Sequence, residues 1–226
     1  MSSLIHLTAA HDGFQFSALH APAQGTRRGG VIIIQEIFGL DRFVHEDVAR
    51  WSALGFEALA PSMFDRQEPG YTASHDPDGF QTGVKYATAN GPDNAMGDIA
   101  ACVAHLAPRG PVFIVGYCYG GTMAWLAASR VPGLAAASSF YGGGVAGMAG
   151  LPLQCPVIVH LGRKDGHIPA DEVKAKVAAA HPEVAVHIYE GSGHGFNNDG
   201  VEAQDPADAA LARQRTLELF QAHGAA

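Results

Sequence analysis

Cys118 lies in the stretch GYCYGG, two residues after Gly116 and two before Gly120. A thiol attacks as its thiolate, so its surroundings decide whether it reacts. Val112, Phe113, Ile114 and Val115 precede it as a buried-strand run, and residues 122–130, rich in Ala, Leu, Met and Trp, read as a buried helix. The thiol therefore sits on the turn between strand and helix. Glycines on either side leave room for the close approach such a sharp turn requires. The helix N-terminus behind the thiol favours its charged form. This is the G-x-S-x-G nucleophile pattern with Cys in the Ser place. A buried Cys that merely fills space is the alternative use of the same residue, so candidate partners decide the reading.

Those partners lie after other strand-like runs. GRKDGHIP places Asp165 in a turn after residues 157–161, and EGSGHGF places His194 among glycines after residues 184–189. The chain order Cys118, Asp165, His194 is nucleophile, acid, base, as in the α/β-hydrolases. His194 would carry the proton of the thiol and return it to the leaving group, while Asp165 would fix the imidazole tautomer. Taken singly, an Asp before Gly also forms turns and a loop His is often just exposed. Glu36 follows the run Val31 to Ile34 one residue on, after Gln35, where a buried carboxylate needs a partner or a task. Pairing with Arg42, or exposure at a sheet edge, would be a purely structural use. The backbone N–H groups of Ile37 and Tyr119 stand where this fold builds an oxyanion hole.

Positioning these residues takes a sheet. Strand-like runs fall at residues 4–8, 14–20, 30–34, 56–60, 112–115, 135–141, 157–161 and 184–189. Helix-like runs fall at 42–54, 94–106, 122–130, 170–180 and 206–221. The later strands are continuously apolar, as strands buried on both faces are. The first two are mixed and read as an antiparallel hairpin. The expected fold is α/β: an α/β-hydrolase with a mostly parallel eight-stranded sheet and helices on both faces. It is expected to form one domain over residues 1–226, with a Gly/Pro/Asp-rich region at about 61–92 covering the site.

The chain has 226 residues, 47% hydrophobic and 16% charged, enough for one sizeable core. A formal net charge of -8 with no basic cluster beyond Arg27 and Arg28 argues against nucleic acid as partner. No run reaches the ~18 apolar residues of a membrane span, and the start lacks a signal-peptide pattern. Cys102, Cys118 and Cys155 have no framework spacing, which fits a reducing cytoplasm. The twelve histidines are dispersed, without metal-ligand spacing, so no metal or other cofactor is expected. A redox thiol would be expected with a C-x-x-C pattern, which is missing. A non-catalytic binding protein on the same fold is the other alternative, against which the intact nucleophile, base and acid argue.

QEIFG, GYCYGG, GRKDGHIP and GHGF, in this order over nearly the whole chain, resemble the dienelactone hydrolase (carboxymethylenebutenolidase) family of α/β-hydrolases. The resemblance implies a Cys118–His194–Asp165 triad that cleaves small esters or lactones through a thioester, without cofactor. It also implies that Glu36 pairs with the resting thiol and takes its proton when substrate arrives. The best-known members grip a substrate carboxylate with two arginines. Here Gln81 and Asn198 stand where those arginines are looked for, and Arg66 or Lys85 from the covering region could reach the substrate instead. Arg66, Gln81, Tyr86 and Asn198 are thus the candidate substrate contacts, and a neutral substrate is expected to be preferred over an anionic one.

Overall fold

Val31, Ile32, Ile33 and Ile34 are each wholly buried, which a strand achieves only inside a sheet covered on both faces. The computed structural model describes residues 2–200 and 205–225. Its strands, in chain order, are β1 (Ser3–Thr8), β2 (Gln15–Ala21), β3 (Gly29–Ile34), β4 (Phe56–Pro61), β5 (Val112–Tyr117), β6 (Leu134–Phe140), β7 (Val157–Gly162) and β8 (Ala185–Tyr189). They form one sheet in the order β1-β2-β4-β3-β5-β6-β7-β8. The pairs β1–β2 and β2–β4 are antiparallel, and the pairs from β4–β3 onward are parallel. The expected opening hairpin and eight-stranded, mostly parallel sheet are both present.

Among the described residues, six α-helices flank the sheet: α1 (Arg42–Ala53), α2 (Pro77–Leu106), α3 (Tyr119–Arg130), α4 (Val145–Met148), α5 (Ala170–Ala180) and α6 (Pro206–Ala222). Trp51 of α1 meets Phe220 of α6 on one face, with ring centroids 5.6 Å apart. On the other face α2 packs on α3, and α4 bridges α3 and α5. The chain moves from β3 to β4 on one side and then crosses to β5 on the other. The carboxyl ends of β3 and β5, in register at Ile34 and Gly116, therefore bound the crevice where ligands bind in open parallel sheets.

The covering region departs from the sequence expectation. Residues 77–90, read as irregular, are helical and join the expected helix at 94–106 into α2, kinked at Gly91 (φ 67°) before Pro92. The apolar period is weak because the helix meets the site loop through a glycine. A Cβ at Gly83 would lie 2.1 Å from the Ile37 carbonyl oxygen, so only hydrogen permits this approach. Residues 71–73 are also knitted to the loop after β3: Gly39 bridges Thr72, and the Ala73 N–H donates to the Phe38 carbonyl at 3.0 Å. Among the described residues, no helix is long and apolar enough to cross a membrane.

Candidate active site

Cys118 has φ 54° and ψ −112°, a left-handed conformation rare for a residue with a Cβ. Neighbouring contacts enforce it. The Cys118 N–H donates to the Phe140 carbonyl at 3.0 Å, and the Gly120 N–H to the Gln35 carbonyl at 3.1 Å. A Cβ at Gly116 would fall 1.9 Å from the Gly120 carbonyl oxygen, and one at Gly120 would fall 2.3 Å from that of Ile34. Strand and helix touch backbone to backbone, as the GYCYGG spacing requires. Gly116→Ala is expected to destabilise the fold by about 3 kcal/mol through this overlap, measured by urea unfolding. A wild-type midpoint would show that the elbow can open.

The acid and base come from the neighbouring strand ends. After β7, Asp165 Oδ1 accepts the N–H groups of His167 at 2.8 Å and Ile168 at 3.2 Å. Its Oδ2 lies 2.7 Å from His194 Nδ1, on the loop after β8. Burial works against the Asp165 carboxylate, but His194 and the two N–H groups outweigh it and hold its pKa below the ordinary value. Burial likewise works against a charged His194, yet Asp165 and Cys118 outweigh it and push its pKa up to about 10. Asp165 and Cys118 thus both act on His194.

Glu36 is 5% exposed, and Asn198 Nδ2 donates to its Oε2 at 3.3 Å. Burial, then the charge of Asp41, raises its pKa, against the opposing effects of His75, His194 and Asn198. Arg42 is not its partner, being paired instead with Glu46 and Asp199. The Gln35 amide closes this corner, donating to the Glu36 carbonyl and accepting the Met63 N–H at 3.2 Å. Among the described residues, the N–H groups of Ile37 and Tyr119 have no hydrogen-bond partner.

Glu36, Ile37, Cys118, Tyr119 and His194 line one cavity of about 590 Å³ with Phe38, His75, Phe80, Val84, Thr122, Gly143, His167, Ile168 and Gly195. The expected substrate contacts are placed elsewhere. Arg66 pairs with Asp98 and with Asp12 at 2.9 Å, and its guanidinium covers the Phe14 ring at 4.4 Å, tying the covering region to α2 and the β1–β2 turn. Tyr86 donates to Glu68 at 2.6 Å and packs on Tyr71. Gln81 is exposed, and its neighbours Phe80 and Val84, one helical turn apart, face the cavity instead. Lys85 is exposed, its ammonium 6.0 Å from the Tyr86 ring. Asn198 is buried against Glu36 rather than set in the cavity wall. Sequence reasoning passed over His75, His167, Phe80 and Val84. A His in the helix-poor stretch TASHD and an apolar pair at i, i+4 were the available signals.

The dienelactone hydrolase family model matches residues 16–224. The chain is 31% identical to a carboxymethylenebutenolidase of Pseudomonas putida over 221 residues, 93% of each chain. It is 33% identical to a candidate carboxymethylenebutenolidase of Azospirillum brasilense, over 97% of this chain and 98% of that one. Among solved structures, it is similar to a candidate dienelactone hydrolase of Klebsiella pneumoniae with a TM-score of 0.83 and 25% identity, covering 98% of this chain and 99% of that chain. A glycine-walled elbow, an acid and a histidine at successive strand ends, and a family match across nearly the whole chain lead to one statement: this protein belongs to the dienelactone hydrolase family and is an ester or lactone hydrolase with an α/β-hydrolase fold.

Proposed function

We propose that this hydrolase cleaves small neutral esters or lactones through a thioester on Cys118. The observation that carries the reading is the convergence of Cys118 and His194 with Ile37 and Tyr119, whose N–H groups have no partner among the described residues, on one largely apolar cavity. Cys118 Sγ, as thiolate, adds to the carbonyl carbon, and the resulting oxyanion accepts hydrogen bonds from the Ile37 and Tyr119 N–H groups. The carbon–oxygen bond to the leaving group then breaks, and the His194 imidazolium donates its proton to the departing alkoxide. Neutral His194 next takes a proton from water as the hydroxide adds to the thioester. Sγ leaves as thiolate beside the imidazolium, and the acid is released. Asp165 holds the imidazole in the tautomer both steps need. Glu36 tunes the thiol, taking its proton as substrate enters and returning it to Sγ once the acid has left.

Charge selects the substrate. Among the described residues, the side chains lining the cavity include no arginine or lysine, Arg66 is committed to Asp98 and Asp12, and Asn198 to Glu36. A substrate carboxylate would forgo charge-assisted hydrogen bonds, each contributing about 1.5–3 kcal/mol. For a small neutral ester, kcat/KM, normalised to the uncatalysed rate, is expected to exceed that for a lactone carrying a free carboxylate by ~10-fold or more. The check is a substrate panel on the wild type, with intact-mass detection of the acylated enzyme. An anionic lactone that wins would overturn the charge reading, and an acyl group found away from Cys118 would overturn the mechanism.

A further inference from the structure

Glu36 has neighbours the triad does not use. Glu36, Asp41 and His75 each offer a carboxylate oxygen or ring nitrogen, and these atoms all lie within 4.8 Å of one another. His75 Nε2 is 2.8 Å from Asp41 Oδ2, and its ring stacks on Phe38 with centroids 3.8 Å apart. Asp41 is fixed from its other side, where Oδ1 caps α1 by accepting the Val44 N–H at 3.0 Å. This is a second carboxylate–imidazole pair in the site, built like Asp165 and His194 but set against Glu36 rather than against the thiol. Its histidine comes from the covering segment and lines the cavity with Glu36 and Cys118. Glu36 is buried, whereas the His75 side chain is 28% exposed.

An isolated carboxylate buried to this extent takes up a proton rather than stay charged. We propose that the Asp41–His75 pair is a positioning device for Glu36, its imidazolium holding the carboxylate charged and passing its proton to and from solvent. The proposal rests on the reading that Glu36 acts on the Cys118 thiol. It also explains why a histidine in the cavity wall is no receptor for a substrate carboxylate: its charge is already opposed by Asp41 and Glu36.

The other groups around Glu36 are Tyr141 from the turn after β6, His194 and Asn198 from the loop after β8, and Cys118 from the elbow. Arg42, with Glu46 and Asp199, lies beside Asp41. Burial pushes the Tyr141 phenol well above its ordinary value and His194 is pushed up to about 10, so neither changes charge between pH 5 and 8. Asp41, against an opposing effect of burial, raises His75, and Glu36 raises it further.

Linkage is reciprocal, which provides a readout independent of turnover. Imidazole proton NMR, with the His75 signal assigned by its loss in His75→Gln, follows the His75 midpoint in the wild type, Glu36→Gln and Asp41→Asn. Asn still caps a helix, so the last variant keeps α1 anchored. Glu36→Gln is expected to lower the His75 midpoint by about 0.5 unit or more, and Asp41→Asn to lower it further. In parallel, iodoacetamide alkylation of Cys118 is measured against pH. His75→Gln removes the cation that keeps Glu36 charged, so the acid limb moves up in pH and alkylation at pH 6 slows by about 3-fold or more. A His75 midpoint unmoved in Glu36→Gln overturns the proposal. So does a His75→Gln alkylation profile that superimposes on the wild type while that of Glu36→Gln shifts. If the Glu36→Gln profile itself superimposes on the wild type, the role of Glu36 in thiol activation is what fails, and the NMR titration still judges the Asp41–His75 pair.

Discussion

Cys118→Ala is expected to lower kcat for a small ester by roughly 10⁴–10⁶-fold while leaving the unfolding midpoint nearly unchanged. Losing the nucleophile removes the covalent route and leaves only binding and the oxyanion donors to help water attack. The substitution deletes one sulfur from a half-buried position, so little packing is lost. The three thiols are also expected to differ in reactivity. Cys102 is wholly buried and pushed well above its ordinary pKa by that burial, and Cys155 is 8% exposed and pushed up to about 11. Of the three, Cys118 lines the cavity, together with His194. Iodoacetamide is therefore expected to label Cys118 first, followed by peptide mass mapping. Faster labelling of either other cysteine, or esterase activity retained in Cys118→Ala, would remove Cys118 from the nucleophile's role.

Asp165→Asn is expected to cost up to roughly 10⁴ in kcat, by analogy with serine triads. Asn keeps an oxygen able to accept the His167 and Ile168 N–H groups, so the turn survives. Its amide then faces His194 Nδ1 as a donor. The imidazole must accept there and place its proton on Nε2, the wrong tautomer for taking a proton from thiol or water. The imidazolium loses its partner carboxylate at the same time, so the His194 midpoint falls from about 10 toward neutrality. His194 is therefore expected to deprotonate at lower pH in the variant, and residual activity to peak at lower pH. A near-normal rate would move the acid elsewhere. Glu190 and Asp199 are the next carboxylates to test, although Glu190 is held by Arg163 at 3.0 Å and Asp199 by Arg42 at 3.4 Å.

The elbow and the triad candidates were legible in the sequence because their constraints are local. A strand that turns at once into a helix must carry glycines where backbone meets backbone, and Gly116 and Gly120 fill those places with no room for a Cβ. Asp165 and His194 could be picked out because each follows a strand-like run, buried in β7 and half-buried in the edge strand β8, and in a parallel sheet those ends meet on one side. The walls of the cavity were not legible, because what a long side chain touches depends on elements far away in the chain. Arg66, read as a possible substrate cation, is held by Asp12 and Asp98, 54 and 32 residues distant. Asn198, read as a substrate contact, turns to Glu36, 162 residues away. Residues 77–90 carry no clear helical period because Gly83 must lie against the Ile37 carbonyl, so close packing there replaced the apolar stripe that would have announced a helix. Sequence alone thus determined the backbone turn that lifts the thiol and the order of its partners. Tertiary structure alone decided which charges face the cavity, because burying a charge is tolerable only beside a partner, and the fold chooses which partners come within reach.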